Sequence, residues 1–290
     1  MNELKLTQIT KQFGHQVILD DINLTFKPNT IYGLLGRNGV GKSTLLNIIT
    51  NRIFASSGTI SWQDQALTGR DHPVQAFYLM SETNLFSKEE RLNKIIKNTA
   101  LLQGQFDETL SAEMMTAFGL NPKKKLSQLS TGYRTIFKAM LALCVPAEVV
   151  FLDEPILGLD ANHREMLYQF ILKAYEERPR TIVLATHLIE EIANLIEHVV
   201  ILNETQVIID EPLETVLAKS YRISGPEEVV QAYCQELNQL ATEQLGTLYI
   251  AYIYDQLPTE REIPDRLTIE HVDLQQTFIK LTNERGNRDV

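Results

Sequence analysis

Short apolar runs recur along most of the chain and predict buried strands. Three of them, residues 31–35, 149–152 and 181–185, are almost continuously apolar. Such runs are typical of parallel strands that are covered on both faces. An earlier segment differs, because Ile22 and Leu24 alternate with polar residues and predict a half-buried strand of an N-terminal β subdomain.

Segments with helical character separate the apolar runs. They are residues 42–50, 130–145 and 163–177. Strands that alternate with helices predict an α/β domain with a mostly parallel sheet. Residues 85 to 140 interrupt this alternation with mostly helical sequence and predict an inserted helical subdomain.

The sequence pattern changes near Tyr221 and predicts a small C-terminal α/β appendage. A break at Gly225 and Pro226 precedes apolar residues at helical spacing, and then come a strand-like run at 247–254 and a last amphipathic helix. The helical spacing involves Val230, Tyr233, Leu237 and Leu240, and the last helix involves Leu274, Phe278 and Leu281. The predicted domains are residues 1–220 and 221–290.

Composition narrows the functional classes. The 290 residues are 44% hydrophobic and 22% charged, as expected for a folded protein, and the net charge of -10 argues against a nucleic-acid partner. Cys144 and Cys234 lack disulfide-framework or zinc-ligand spacing, which fits a cytoplasmic location. No signal peptide is expected. The longest apolar run, residues 139–145, is far shorter than the ~20 residues that span a bilayer.

A glycine-rich loop predicts a phosphate site. The segment GLLGRNGVGKSTLL follows a predicted strand and opens a predicted helix, which is the context of a P-loop rather than of a simple connecting turn. Its glycines let backbone N–H groups surround an anion, Lys42 reaches the β- and γ-phosphates, and the Ser43 hydroxyl is a ligand for Mg²⁺. The candidate ATP-binding residues here are Gly36, Asn38, Gly39, Gly41, Lys42, Ser43 and Thr44.

Two later strand ends carry candidate catalytic residues. Asp153 and Glu154 end one apolar run, where ligands of open α/β sheets bind. We expect Asp153 to hold Mg²⁺ and Glu154 to orient or deprotonate the attacking water. His187 follows another apolar run, at the same predicted edge, and is a candidate to brace the γ-phosphate.

The order of these motifs is highly specific. The P-loop is followed by LSTGY at 129–133, by LDEP and GLD, and by Thr186 and His187. Over residues 3 to 215 the chain resembles the nucleotide-binding subunit of an ABC transporter, which has a P-loop NTPase core. The resemblance implies binding and hydrolysis of ATP with Mg²⁺. It also implies a head-to-tail dimer with a second ATP-binding subunit, and a membrane-spanning permease that holds the chain at the inner face of the cell membrane.

The resemblance assigns further residues. Ser130 and Gly132 match signature residues that meet the γ-phosphate of ATP held by the other subunit, although Ser130 also reads as a simple helix cap. Phe13 matches the aromatic residue that stacks on adenine, with a core phenylalanine as the alternative. Asp160 matches an interface aspartate.

The sequence departs from the family pattern in three motifs. Thr131 and Tyr133 replace a glycine and the glutamine of the usual signature, and Leu157 replaces a serine. At the place of the family's metal-contacting glutamine, the sequence has Ser81 and then Glu82. Ser81 aligns better than Glu82 with that glutamine and is the candidate metal ligand.

The predicted function is an ATPase subunit that powers transport, with export of a drug or peptide favoured by the single ATPase cassette and C-terminal appendage. One alternative is a soluble ABC-type ATPase in assembly or regulation. Another is a nucleotide-gated binding module with little turnover.

Overall fold

The computed structural model describes residues 2–67, 75–83, 85–258 and 261–283. The chain forms two compact units. The first comprises Met1–Leu188 with Asn194–Asp210, and the second comprises Ile189–Ala193 with Glu211–Val290. The predicted boundary after residue 220 therefore falls inside the second unit.

The strands are, in chain order, β1 (Leu4–Phe13), β2 (Gln16–Phe26), β3 (Ile31–Leu35), β4 (Ser57–Trp62), β5 (Gln65–Ala66), β6 (Phe77–Met80), β7 (Val149–Asp153), β8 (Thr181–Thr186), β9 (His198–Asn203), β10 (Gln206–Pro212), β11 (Ser220–Gly225), β12 (Gln239–Leu245), β13 (Leu248–Tyr254) and β14 (Thr268–His271).

The helices are α1 (Lys42–Ile49), α2 (Leu92–Gln103), α3 (Glu108–Ala117), α4 (Thr131–Cys144), α5 (Ala161–Glu177), α6 (Ile189–Ile192), α7 (Leu213–Lys219), α8 (Glu227–Cys234) and α9 (Leu274–Asn283). Among the described residues, none of them is both long and apolar enough to cross a membrane.

The first unit is built around a six-stranded sheet in the order β10-β9-β3-β8-β7-β6. The pairings of β3 with β8 and β9, and of β7 with β6 and β8, are parallel. The three strands predicted from apolar runs are confirmed, and every residue of β3, β7 and β8 is buried. Because β3, β7 and β8 are adjacent and parallel, the P-loop, Glu154 and His187 leave the sheet at one edge.

A second sheet, in the order β2-β1-β4-β5, forms the predicted N-terminal β subdomain. The expected alternation in β2 is confirmed, because Ile22, Leu24 and Phe26 are buried and their neighbours are more exposed. Strands β6 and β9 also contain short apolar runs, FYLM and VVIL, but neither they nor β10 were predicted from the sequence.

The predicted helical region contains α2, α3 and the beginning of α4, as expected. Ser130 caps α4 by accepting a hydrogen bond from the Tyr133 N–H at 3.3 Å. Asp160 caps α5, which begins two residues before the predicted start at His163. The caps satisfy amide groups that the first turn of a helix leaves unpaired.

The second unit has an antiparallel sheet in the order β12-β13-β11-β14. The strand predicted at 247–254 is confirmed as β13, and the last predicted helix as α9. The helical spacing predicted to reach Leu240 is wrong beyond Cys234, where α8 ends. Leu240 lies in β12 and packs with Ile250 and Tyr252, in a cluster separate from the one that contains Tyr233. Its spacing from α8 was therefore a coincidence.

Candidate functional site

The P-loop connects β3 to α1 and encloses space for an anion. Gly41 has φ of 112°, and a Cβ there would come within 2.9 Å of the Leu19 side chain. Only glycine adopts this conformation without strain. A cavity of about 460 Å³ opens beside the loop. Its lining comprises Asn38, Gly39, Gly41, Lys42, Ser43, Thr44, Glu82, Glu154, Leu157 and His187.

Lys42 is buried, and its ammonium group is held inside the loop. Its Nζ donates to the carbonyl oxygens of Gly36 at 2.7 Å and Arg37 at 3.2 Å. It also lies 3.8 Å from Oε1 of Glu154. Burial lowers the pKa of Lys42, and the charges of Glu154 and Asp153 oppose that effect. The loop therefore concentrates a positive charge where a triphosphate would lie.

Asp153 ends β7 and is almost fully buried. Burial raises the pKa of its carboxyl group, while a hydrogen bond with the Ser43 side chain opposes the shift. Within the described part of the chain, Oδ1 of Asp153 has no hydrogen-bond partner. A buried carboxylate oxygen beside a serine hydroxyl is a donor set that suits Mg²⁺, which prefers hard oxygen ligands.

Glu154 is fixed by contacts from the neighbouring strand. Its backbone adopts φ of 49°, a sparsely populated conformation for a residue with a Cβ and a form of strain typical of functional sites. The Thr186 hydroxyl lies 2.8 Å from Oε2, and Nδ1 of His187 lies 2.9 Å from Oε1. The predicted pair of Glu154 and His187 is thus in direct contact at the edge of the phosphate cavity.

The structure gives Ser81 partners outside the cavity. Its hydroxyl accepts from Arg52 at 3.0 Å and faces the Thr83 carbonyl at 3.3 Å. The guanidinium places a positive charge at that oxygen, and Ser81 does not line the phosphate cavity, so its role as a metal ligand stays a prediction. Glu82 instead lines the phosphate cavity.

Lys138 of α4 is a residue that the sequence did not indicate. Its Nζ donates to the carbonyl oxygens of Ser81 at 2.6 Å and Glu82 at 3.1 Å. Burial lowers the pKa of Lys138, and the charge of Glu82 opposes that effect. Lys138 thereby fixes the segment that places Glu82 at the cavity. The sequence gives one indication of a role for Lys138, which is its charge within the apolar stretch that forms α4.

Ser130, Gly132 and Asp160 do not line the phosphate cavity of their own chain. A Cβ on Gly132 would lie 2.6 Å from the Gly158 carbonyl oxygen, so this glycine is required for close packing between the first turn of α4 and the loop at Gly158. Asp160 accepts from the His163 backbone and contacts its Nδ1 at 2.7 Å. These hydrogen bonds lower the pKa of Asp160.

Phe13 lies at the end of β1 with 51% of its surface exposed. The alternative that it is a core residue is therefore wrong. Nζ of Lys11 lies 4.6 Å from the ring centroid, which supplies a cation–π contact. The ring retains exposed surface on which a nucleobase could stack.

Comparison with known proteins gives one family and a consistent group of relatives. Residues 19–157 match the family model described as ABC transporter. The chain is 27% identical over 251 residues to the ABC transporter ATP-binding protein YtrB of Bacillus subtilis (strain 168), covering 86% of each chain. It is 28% identical over 214 residues to the bacitracin transport ATP-binding protein BcrA of Bacillus licheniformis, covering 73% of this chain and 70% of BcrA.

A solved structure of an ATP-binding subunit of an ABC transporter superposes with a TM-score of 0.65 at 22% identity. The match covers 73% of this chain and 91% of that one, and it establishes the fold. Other relatives differ in direction of transport by name, since one is a Nod factor export ATP-binding protein and another is a sulfate/thiosulfate import ATP-binding protein.

Proposed function

Because the chain belongs to the ABC transporter family and carries its ATP-binding domain, we propose that it powers transport through a separate membrane-spanning permease. Domains of this family bind and hydrolyse ATP. The observation that carries the proposal is the contact of Glu154 with His187 beside the P-loop. It places the proposed base Glu154 and the proposed phosphate-contacting residue His187 in the same cavity as the P-loop.

The residues of this cavity suit phosphoryl transfer to water. The P-loop amides and Lys42 hold the triphosphate, and Glu154 accepts a proton from the attacking water. His187 keeps the Glu154 carboxylate in place and lies where it can donate to the γ-phosphate. Ser43 and Asp153 would hold Mg²⁺, which neutralises charge on the β- and γ-oxygens when it is bound.

We also propose that two such subunits pair head to tail. Ser130 and Gly132 begin α4 but do not line the cavity of their own chain. The positive end of a helix dipole favours a phosphate at this point. A second subunit would bring ATP to it, and closure of this dimer would couple ATP binding to transport.

Phe13 provides a test of the nucleotide site. We expect Phe13→Ala to weaken ATP affinity by roughly 5- to 150-fold, because base stacking contributes about 1–3 kcal/mol. Phe54→Ala is the matched control, since Phe54 is also exposed, at 72%, and lies near Lys11, which donates to its backbone carbonyl. Isothermal titration with ATP measures both variants, and equal affinity for Phe13→Ala and the parent would exclude the stacking role.

An apolar groove is our proposed docking site for the permease. A cavity of about 340 Å³ exposes mainly apolar surface, and Leu85 and Leu102 are largely exposed there, while polar side chains that include Arg52 and Lys138 complete its lining. The apolar lining residues include Phe77, Leu79, Leu85, Phe86 and Leu102. We propose that it receives an amphipathic helix from a cytoplasmic loop of the permease, since the relatives' names describe ATP-binding proteins of transporters.

A pair of adjacent leucines tests this docking. We expect Leu102→Glu to reduce binding to salt-washed membranes of the source cells at least tenfold, because the groove would then bury a charge. Leu101→Glu is the control, because Leu101 is 82% exposed and does not line the groove. Co-sedimentation measures binding, and phosphate release measures turnover with and without the membranes.

The same assay separates the alternatives. A parental chain that stays in the supernatant and hydrolyses ATP would indicate a soluble ATPase of assembly or regulation. A chain that sediments but releases no phosphate would indicate a nucleotide-gated module. We further propose a peripheral location at the inner membrane face and export of a drug or peptide. Similarity to a bacitracin transport protein supports the class of cargo, and similarity to a Nod factor export protein supports the direction.

A further inference from the structure

A buried hydroxyl group contacts the proposed catalytic base. Thr186 is the last residue of β8, is fully buried, and pairs with Leu35 at the end of the P-loop strand. Its Oγ1 lies 2.8 Å from Oε2 of Glu154. The adjacent strands β7 and β8 therefore place a polar group from one directly against a carboxylate from the other.

The Thr186 hydroxyl donates in this hydrogen bond and accepts in a second one. The Leu188 backbone N–H donates to Oγ1 of Thr186 at 3.1 Å. A threonine hydroxyl has one hydrogen to give and accepts through its lone pairs. Thr186 can therefore accept from Leu188 through a lone pair and give its one hydrogen to Oε2 of Glu154, because a carboxylate oxygen is an acceptor.

The two oxygens of Glu154 thus have different surroundings. Oε2 binds the buried Thr186 hydroxyl, whereas Oε1 faces His187 at 2.9 Å and the Lys42 ammonium at 3.8 Å. Asp153 and Glu82 are the other charged groups around the phosphate site. With Oε2 held, Oε1 is the oxygen directed toward the phosphate cavity.

We propose that Thr186 is a positioning residue, which holds the Glu154 carboxylate turned so that Oε1 takes the proton of the attacking water. This inference rests on the proposed role of Glu154 as the base. Thr186 itself touches neither the water nor the nucleotide. Its effect on turnover therefore acts entirely through Glu154.

The hydroxyl can be removed with little change of shape by Thr186→Val. We expect turnover to fall roughly 10- to 100-fold with the Michaelis constant for ATP unchanged, because one hydrogen bond to a charged group is lost.

Matched variants separate positioning from packing. Thr186→Ser keeps the hydroxyl and should retain most of the turnover, whereas Thr186→Ala should behave like Thr186→Val. This serine and alanine pair decides the question even if the valine variant does not fold. Thr181→Val, at the other end of β8, removes a buried hydroxyl that donates to the Lys27 carbonyl and should leave turnover at the parental level.

Two results would overturn the inference. One is parental turnover in Thr186→Val or Thr186→Ala, and the other is an equal loss in the serine and alanine variants, which would assign the effect to the methyl group. Glu154→Gln distinguishes this failure from failure of the proposed function. If Glu154 is the base, Thr186→Val added to Glu154→Gln should cause no further loss, and a full additional loss would contradict action through Glu154.

Discussion

Glu154→Gln is expected to lower ATP turnover by about 10²- to 10⁴-fold while ATP binding is retained, because the amide cannot accept the proton of the attacking water. The substitution keeps the size of the side chain, so that its end stays within hydrogen-bonding distance of Thr186 and His187. Steady-state phosphate release measures turnover, and titration with ATP measures binding.

The same variant should accumulate an ATP-bound dimer, since hydrolysis is the step that we expect to reopen the interface. Sedimentation velocity with ATP measures this state. Glu190→Gln is the control, because it makes the same chemical change at an exposed side chain. Parental turnover in Glu154→Gln would show that Glu154 is not the base and that the site at this strand end is misassigned.

Ser130→Asp is expected to abolish ATP-driven dimerisation and to lower turnover by roughly 100- to 1000-fold. Two like charges 4 Å apart repel by about 4 kcal/mol at the effective dielectric of a protein surface. Aspartate also caps helices well, so the fold should be preserved. The added charge would lie where α4 is proposed to meet the γ-phosphate.

Ser130→Asn is the matched control, because asparagine caps a helix as well as aspartate does but carries no charge. We expect it to dimerise with ATP, and we expect both variants to keep the parental melting temperature and ATP affinity. If the aspartate variant dimerises and hydrolyses ATP like the asparagine variant, Ser130 is only a helix cap and the shared site is excluded.

A substitution of Gly132 is a less informative test of the shared ATP site than a substitution of Ser130. A side chain there would collide with the Gly158 carbonyl oxygen at 2.6 Å, so a substitution perturbs the packing of α4 on the loop at Gly158 whether or not a phosphate is nearby. Packing within its own chain is therefore sufficient to explain Gly132. A charge introduced at Ser130 tests phosphate binding without changing that packing.

The altered signature also has a role within the chain. Tyr133, which replaces the usual glutamine, packs edge-on against His163 with ring centroids 5.5 Å apart. His163 in turn contacts Asp160 at 2.7 Å. The aromatic residue thus links the start of α4 to the segment that carries Asp160, and glutamine has no ring with which to make this contact.

The sequence by itself determined the features that depend on local spacing. The P-loop requires glycines at fixed intervals between a strand and a helix, and buried parallel strands require continuous apolar runs, so both were readable from Gly36 to Thr44 and from the runs before Asp153 and His187. The helix caps at Ser130 and Asp160 were readable for the same reason, because a cap acts on amides within three residues of itself.

Only the tertiary structure decided which distant groups meet. Thr186 reaches Glu154 because β7 and β8 are adjacent, and Lys138 holds the segment of Glu82 across 56 residues of sequence. The exposure of Phe13 and the place of Leu240 in a strand likewise depended on what packs around them. Periodicity along a chain reports the neighbours within one element, whereas these contacts depend on how separate elements are arranged in space.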